Sequence, residues 1–318
     1  MIFKTMPQNG ASWHSPLLYT LEFDQREEQV EVEIYDQLSS TQLGRVMLYN
    51  VTSAEIDIAP YIRSYRLASS LDSQPEIIQR SADACRVVLR VKGEESEPRL
   101  SFRSNIVGRA NGVLSTITDN GTVAMGEVIR FTLLAKQSVS LVVSRPSEGG
   151  IEVYTYTTEG VPCEVALPIN VARVGENILI RVTCDGEYVG LYSYRVVNRD
   201  DSAVRLAWVN AKGGMECYTF PQSIRRSIAV KAEDVECECG WYRRIVSSTV
   251  VRRLIMAGAT QDEVDRVLEV LLSPKVYRCN GVEGIAVQLL TDTLAYDAHG
   301  KLHRLEFEIT EEWKGGVL

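Results

Sequence analysis

Apolar and polar residues alternate along most of this chain, and this two-residue period constrains the fold more than any other feature. The run Val30-Glu31-Val32-Glu33-Ile34 shows it most clearly, because its apolar and acidic side chains would fall on opposite faces of a β-strand. Glycines and Asp-Gly or Asn-Gly pairs separate the alternating runs. Such a pattern is typical of antiparallel sheets with one face in water. The sequence therefore predicts a mainly β protein.

One segment keeps a helical period instead. It begins with the capping box Thr260-Gln261-Asp262-Glu263 and stops before Ser273-Pro274. Its apolar residues are Val264, Val267, Leu268, Leu271 and Leu272. A lone amphipathic helix among strands has to bury its apolar stripe. We expect it to lie across one face of a small sheet, and we expect Thr260→Ala to cost roughly 0.5–2 kcal/mol.

The chain of 318 residues is longer than one ordinary domain. The pattern of short strands restarts near Gly108, and the polar stretch 198–202 is typical of a linker. We predict two N-terminal β-sandwich-like domains of immunoglobulin-like or fibronectin-like architecture, at 1–107 and 108–200. A small α+β domain with one helix on a sheet follows at 201–318. No Cys…Trp…Cys spacing marks a true antibody-type domain.

Several elements can be placed within these domains. Asp185-Gly186 favours a type I′ turn joining two strands of the middle domain. The charged stretch 24–28 is expected to separate two strands, and one helical turn is expected after Ala59. In the last domain we expect strands at Arg225–Val230 and Trp241–Val251, and a hairpin turn at Gly213-Gly214.

The charge balance disfavours two classes of partner. The formal net charge is −8, which gives no electrostatic hold on nucleic acid or anionic lipid. The apolar fraction of 45% is enough to form hydrophobic cores without disulfide or metal staples. No apolar run reaches the roughly 18 residues of a membrane helix. We expect neither nucleic-acid binding nor membrane insertion.

Cysteine usage and the N-terminus bear on the compartment. Seven cysteines, an odd number, are scattered without a framework, which favours a reduced, intracellular chain. The first ten residues lack the apolar core of a signal peptide. We therefore expect cytoplasmic synthesis without a signal peptide.

No constellation of catalytic or metal-ligating residues stands out. Cys237 and Cys239 would lie on the same face of one strand, and Cys217 and Cys279 belong to the same domain, but the spacing is not that of structural zinc. His299 and His303 flank a turn, and no G-x-S-x-G elbow is present. Gly213-Gly214 precedes a strand and not a helix, so it is not a phosphate cradle. We predict no catalytic residues, no metal and no cofactor.

Two surface features could bind a partner. Tyr154 and Tyr156 share a strand face, and Tyr192 and Tyr194 lie on the Asp185-Gly186 hairpin. Exposed aromatic residues on a sandwich can stack on sugar rings or form a protein interface, although cross-strand pairing within the sheet is the simpler interpretation. The arginine doublets at 225–226, 243–244 and 252–253 are expected to protect sheet edges first and to bind a partner second.

A resemblance enters at residues 208–220. The motif W-x-N-x-x-G-G-x-x-x-Y-x-F resembles the start of the C-terminal region of phage or prophage tail structural proteins, of the baseplate or distal-tail kind. It comprises Trp208, Asn210, Gly213, Gly214, Tyr218 and Phe220. The segment Leu271–Tyr277 and the strand Leu305–Ile309 are also similar. The resemblance implies a non-enzymatic subunit assembled in a ring, with the motif residues as fold determinants.

Three hypotheses of different classes follow. The leading one is a structural subunit of a phage-like tail tip or baseplate, which associates with itself and with other tail proteins in a virion or prophage-derived particle. The second is an array of carbohydrate- or protein-binding β-sandwich modules that uses the tyrosines, with a glycan as a possible ligand. The third is a hydrolase with an unrecognised carboxylate site.

Overall fold

The computed structural model describes most of the chain, and its strands dominate. The described residues are 1–67, 76–81, 83–115, 120–145, 149–169, 173–198, 202–220, 222–237, 240–259, 261–273, 275–281, 283–294 and 303–312. Most of them lie in strands that pair antiparallel, with parallel pairing where β2 (Ala11–Ser12) meets β8 (Arg99–Phe102) and where β10 (Asn120–Ala124) meets β16 (Glu187–Val197). The expected mainly β fold is confirmed.

The N-terminal sheet has seven strands, five of them in the order β1-β3-β6-β8-β2, with β4 beside β3 and β7 beside β6. Besides β2 and β8, its strands are β1 (Ile2–Thr5), β3 (Leu18–Asp36), β4 (Thr41–Asp57), β6 (Cys85–Val91) and β7 (Glu94–Glu95). One hydrophobic core lies against it, containing Trp13, Tyr19, Val32 and Leu89.

Strand β3 runs unbroken through the charged stretch 24–28, so the prediction of two separate strands was wrong. Its register with β4 shifts between Glu22 and Glu27. A bulge of this kind lets the ladder continue past residues whose side chains stay in water. Most side chains of the stretch are exposed. Both halves of β3 contribute to the same core, through Leu21 on one side and Ile34 on the other.

Helix α1 (Ala59–Leu67) is longer than the single turn that we expected. The Ala59 backbone N–H donates to the Asp57 carboxylate at 3.0 Å, which caps the start of the helix. Ile58 and Ile62 are buried in the core of the N-terminal sheet. This buried contact stabilises more than one turn.

The middle sandwich consists of two facing sheets, ordered β10-β16-β15-β12-β13 and β5-β14-β11-β9. Its further strands are β5 (Ile78–Arg80), β9 (Gly112–Val113), β11 (Val128–Leu134), β12 (Ser138–Arg145), β13 (Gly150–Thr157), β14 (Cys163–Pro168) and β15 (Asn177–Cys184). Their inner faces share one core, to which Phe131 and Ile180 contribute. Asp185 and Gly186 have φ of 51° and 81°, which confirms the type I′ turn between β15 and β16.

Strand β5 pairs with β14, although it precedes the expected boundary at 107/108. Arg80 lies opposite Cys163, and Ile78 lies opposite Val165. The Ser81 hydroxyl donates to the buried Glu164 carboxylate at 2.8 Å. The segment that precedes β6 of the N-terminal sheet therefore supplies a strand of the middle sandwich. The domain limits themselves stay a prediction.

The C-terminal sheet has seven strands in the order β18-β17-β21-β22-β23-β20-β19, with helix α2 (Gln261–Leu272) packed on one face. The strands are β17 (Val204–Val209), β18 (Met215–Phe220), β19 (Gln222–Cys237), β20 (Gly240–Ala259), β21 (Val276–Asn280), β22 (Glu283–Leu289) and β23 (His303–Glu312). The expected helix on a sheet and the turn at Gly213-Gly214 are confirmed. Thr260 lies outside the described residues.

The buried stripe of α2 differs slightly from the expected one. Val264, Val267 and Val270 are buried against Trp208 and Phe307, whereas Leu268 and Leu271 are partly buried at the side of this core. Leu272 is 81% exposed, so its assignment to the stripe was wrong. It lies at the last position of the helix, where the chain turns away toward β21. Val270 takes its place.

Candidate functional site

The residues of the 208–220 motif lie where the N-terminal sheet, the middle sandwich and the C-terminal sheet meet. Trp208 and Phe220 are fully buried under α2, and Tyr218 packs edge-on against Phe220 at a centroid distance of 5.1 Å. Phe220 in turn packs edge-on against Phe307 at 5.2 Å. These rings join β17 and β18 to β23, so the motif aromatics contact the core of the C-terminal sheet.

Asn210 uses its whole side-chain amide at this junction. Its NH₂ donates to the Leu114 carbonyl at 3.0 Å and to the Glu216 carboxylate at 2.8 Å. Its carbonyl oxygen accepts from the Lys212 and Gly214 backbone N–H groups, both at 2.9 Å. An asparagine amide has two donors and two acceptor sites. The buried Asn210 side chain therefore closes its own turn and also hydrogen-bonds the backbone of the middle sandwich at Leu114.

The two glycines of the motif allow neighbouring backbones to approach. A Cβ on Gly214 would lie 2.9 Å from the Leu114 carbonyl carbon. A Cβ on Gly213, whose φ is +82°, would lie 2.9 Å from the Phe102 ring and 3.1 Å from the Ser104 nitrogen. Gly214 thus faces the middle sandwich and Gly213 faces the N-terminal sheet.

A cleft of about 430 Å³ opens beside this turn, between the N-terminal and C-terminal sheets. His14, Arg103 and Glu269 line it together with Asn210 and the exposed Leu272. Burial and then the positive charge of Arg103 lower the pKa of His14, while burial raises the pKa of Glu269. Sequence reasoning missed this cleft because its polar residues come from distant parts of the chain.

The four candidate tyrosines do not form one exposed surface. Tyr194 is buried at 7% exposure, and the other three are partly buried against the core of the middle sandwich. The Tyr154 hydroxyl donates to Glu152 at 2.8 Å, and Tyr192 packs near Phe131 with centroids 6.3 Å apart. The structure therefore places these rings on the inner side of their sheet, where cross-strand packing occupies them.

The remaining candidates are dispersed. His303 is buried, and His299 lies outside the described residues, as do Cys239 and the side chain of Cys237. Within the described part of the chain, no three His, Cys, Asp or Glu side chains converge as metal ligands. No helix among the described residues has the length and apolar character needed to cross a bilayer.

A projecting hairpin is an exposed feature whose full length the sequence reasoning missed. Strands β19 and β20 are 16 and 20 residues long, so both are longer than expected, and β19 pairs along its whole length with Gly240 to Ile255 of β20. Strand β23 pairs with β20 only from Thr249 to Ala259. The outer part, residues 230–237 and 240–248, therefore extends beyond the sheet as two strands, which we call the hairpin arm. The expected strands Arg225–Val230 and Trp241–Val251 cover only part of this hairpin.

Exposed apolar side chains occupy the hairpin. Ile228 and Val230 on β19 are 49% and 44% exposed, and Trp241 at the tip is 69% exposed. Arg225 and Arg226 are exposed on β19, whereas Arg252 and Arg253 at the base form ion pairs with Glu311 and Glu306. The arginines at the base therefore belong to the sheet, and those on β19 face solvent.

Comparison with known proteins gives no family. No family model matches, and no curated protein matches. Among solved structures, the chicken CNTN1 FN1–FN3 domains align over 89% of this chain and 93% of that chain, with 11% identity and a TM-score of 0.23. The complex of Dpr2 Ig1-Ig2 with DIP-Theta Ig1-Ig3 aligns over 62% of this chain and 98% of that chain, with 9% identity and a TM-score of 0.20.

The BSP domain of a biofilm-associated protein aligns over 61% of this chain and 29% of that chain, with 8% identity and a TM-score of 0.17. TM-scores of this size do not define a common chain fold. The mainly β architecture therefore rests on the strands and sheets of this chain.

Proposed function

We propose that this protein is a non-enzymatic assembly subunit, an array of β modules that associates with further protein chains through its hairpin. The observation that carries the proposal is the open edge of β19. This strand of 16 residues ends the C-terminal sheet, and among the described residues it pairs with β20 alone. Its outer backbone groups are available to another strand.

Binding to a partner would also stabilise the hairpin arm. A two-stranded ribbon is at best marginally stable in water, and this arm projects by roughly 25–30 Å at about 3.3 Å per residue. Ile228, Val230 and Trp241 leave apolar surface in water along the hairpin. Burying it against another chain yields roughly 25 cal/mol per Å². Association therefore stabilises both the arm and the complex.

The finer form of the proposal is a subunit of a phage-like tail tip or baseplate, formed by self-association and contacts with other tail proteins. The resemblance at Trp208–Phe220 supports it. So does the position of the motif, which fixes the C-terminal sheet to the N-terminal sheet and to the middle sandwich and so gives the hairpin a rigid base. A closed ring of identical subunits uses one heterologous contact repeated around an axis.

The test is the solution mass of the full chain by light scattering over a wide concentration range. The wild type is expected to form an oligomer of defined mass. The double variant Ile228→Lys/Val230→Lys places charges on the exposed face of β19 and is expected to shift the protein to monomer. A strictly monomeric wild type would overturn the proposal.

The matched control is Ile151→Lys/Val153→Lys on β13, which also ends a sheet. These residues are 69% and 61% exposed, so the control adds the same charge at a similarly exposed edge. It is expected to remain assembled. If the β13 control dissociates and the β19 variant does not, the interface lies on the middle sandwich and the hairpin proposal is wrong.

A further inference from the structure

The charged side chains of β19 are separated by sign along the strand. Its positive charges come first, at Arg225, Arg226 and Lys231, and its negative charges come last, at Glu233, Asp234 and Glu236. All six side chains are exposed, and so are those of Ile228 and Val230 near the middle of the strand. Such a strand is complementary to a copy of itself that runs in the opposite direction, because each basic end then meets an acidic end.

The two arginines at the basic end face like charge within their own chain. Arg226 lies directly opposite Arg252 of β20, and Arg225 lies directly opposite Arg253. Like charges in directly opposite positions destabilise a strand pair. Carboxylates of β23 form ion pairs with Arg252 and Arg253, but within the described part of the chain no ion pair includes Arg225 or Arg226. A carboxylate supplied at the open edge of β19 would relieve this repulsion.

The regular part of β19 restricts the register of such a pair. It extends from Arg225 to Cys237, because the bulge beside Lys231 places its extra residue on β20. In an antiparallel pair, directly opposite residues either both exchange backbone hydrogen bonds or both do not. Two identical strands therefore pair about a residue that lies opposite itself. A centre at Lys231 sets two ammonium groups against each other, and a centre nearer the base shortens the overlap. A centre at Val230 sets two apolar side chains together and overlaps the strands from Arg225 to Val235.

This register also matches the other side chains on the face that carries Val230. On each side of the central pair, Ile228 of one copy lies opposite Ala232 of the other. One step further out, Arg226 of one copy lies opposite Asp234 of the other. Directly opposite apolar pairs and pairs of opposite charge both stabilise a sheet. Each Arg226 then has beside it a carboxylate from the other copy.

We propose, on the basis of the assembly function above, that the partner of β19 is β19 of a second copy of this chain, paired antiparallel about a two-fold axis at Val230. The pairing combines two hairpin arms into one four-stranded sheet, and sheets of three or more strands are stable where a two-stranded hairpin is marginal. It also covers the open edge of each C-terminal sheet. The contact is isologous and closes with two copies, so a larger ring requires a second contact elsewhere on the chain.

The first variant reverses the charge at the basic end of β19. Arg225→Glu/Arg226→Glu makes both ends of the strand acidic, so two copies of the variant repel each other. The new carboxylates lie opposite Arg252 and Arg253, which favours the folded hairpin, so misfolding does not explain a loss of assembly. Light scattering on the full chain is expected to show the wild type at an even multiple of the chain mass and the variant at half that mass or less.

The second variant reverses the acidic end. Glu233 and Asp234 lie opposite Arg244 and Arg243 of β20, so the four are exchanged together, as Glu233→Arg/Asp234→Arg/Arg243→Glu/Arg244→Glu. Each position then keeps an opposite charge across from it. Both ends of β19 become basic, and this variant alone is also expected at half the wild-type mass or less. An equimolar mixture of the two variants is expected to regain the wild-type mass, because the acidic strand of one complements the basic strand of the other.

The matched control is Arg181→Glu/Arg195→Glu, which reverses two exposed arginines of the middle sandwich and is expected to keep the wild-type mass. A strictly monomeric wild type would contradict the assembly function together with this pairing. The pairing alone is overturned if an assembled wild type has an odd number of subunits or if its mass survives Arg225→Glu/Arg226→Glu. A mixture of the two variants that fails to regain the wild-type mass overturns it as well, and assembly then uses a different partner surface.

Discussion

Asn210 shows how much of this architecture depends on a single side chain. It is 5% exposed and makes all four hydrogen bonds that its amide can form. The bond to Leu114 spans 96 residues of sequence. The motif around Asn210 could be read from the sequence as a turn with fold-determining residues. Its partner in the middle sandwich could not, because nothing local specifies a contact at that separation.

Asn210→Ala is expected to destabilise the protein by about 3–5 kcal/mol. The substitution leaves the Leu114 carbonyl, the Glu216 carboxylate and two backbone N–H groups without this partner, and each such buried group costs roughly 1–3 kcal/mol. Urea unfolding of the two proteins, compared at equal m-value, measures the difference. A shift below about 1 kcal/mol would show that water replaces the amide without loss.

Gly213→Ala is expected to cost about 2–4 kcal/mol, and Gly93→Ala about 1 kcal/mol. Both glycines have positive φ, +82° and +83°, but a Cβ at Gly93 meets nothing within 4 Å. The shared cost is backbone strain, and the excess at Gly213 is overpacking against Phe102 and Ser104. Thermal unfolding of both variants measures the two losses of stability. Equal costs would mean that the neighbouring sheet moves aside freely.

At the scale of elements, helix α2 shows what periodicity can and cannot give. The capping box and the stripe from Val264 predicted the helix and the face that it buries, because helical spacing repeats over three turns. The C-terminal end of the buried stripe of α2 is set instead by the point at which the chain leaves the sheet. Leu272 points into water and Val270 into the core, a difference that three-residue and four-residue spacing allow equally.

Val267→Ala is expected to cost about 2 kcal/mol, and Leu272→Ala less than about 0.5 kcal/mol. Val267 is fully buried against the sheet and Leu272 is 81% exposed, so only the first change removes buried methyl groups and leaves a cavity. Chemical denaturation of the two single variants tests this. A larger effect at Leu272 would require a partner over the cleft beside it.

The turn between β15 and β16 is expected to make stability depend on acid pH. Burial raises the pKa of Asp185, but hydrogen bonds from the backbone N–H groups of Ser138, Gln137 and Lys136 and from the Asn111 amide outweigh it and hold the pKa below its usual range. A depressed folded-state pKa stabilises above the unfolded value of about 4. That contribution is lost as the pH falls through the lower, folded value.

Asp185→Asn is the variant that checks this expectation. Asparagine tolerates the positive φ of 51° at this position, so the turn is kept while the charge is removed. Urea unfolding is expected to show the variant less stable than the wild type at pH 7, with the gap closing toward pH 2. A difference in stability that does not change with pH would show that the charge of the Asp185 carboxylate is not its cause.

At the scale of the whole molecule, the N-terminal sheet, the middle sandwich and the C-terminal sheet are joined by polar as well as apolar contacts. Arg205 of the C-terminal sheet and Glu127 of the middle sandwich form an ion pair at 3.2 Å, with both side chains about 95% buried, at 5% and 4% exposure. Glu127 also accepts from Thr219 and from the Ala124 backbone. Composition predicted large cores, but buried ionic contacts between domains leave no periodic trace in a sequence.

Arg205→Met is expected to destabilise the protein by about 3–5 kcal/mol and to split thermal unfolding into two steps. The change leaves the buried Glu127 carboxylate without its counter-charge. Differential scanning calorimetry resolves the steps. Adding Glu127→Gln is expected to recover part of the loss, since neither charge then remains. If the double variant loses as much as the two single variants added together, the two side chains are not coupled.

Strand β5 also sets an order of events during synthesis. Ile78–Arg80 leaves the ribosome before β6 of the N-terminal sheet, yet its partner β14 begins only at Cys163. At roughly 5–20 residues per second, β14 follows on the order of ten seconds later. During that interval β5 has no pairing partner. The early folding of the nascent chain therefore has to proceed while the β5 segment waits, unpaired, for a strand that has not yet been translated.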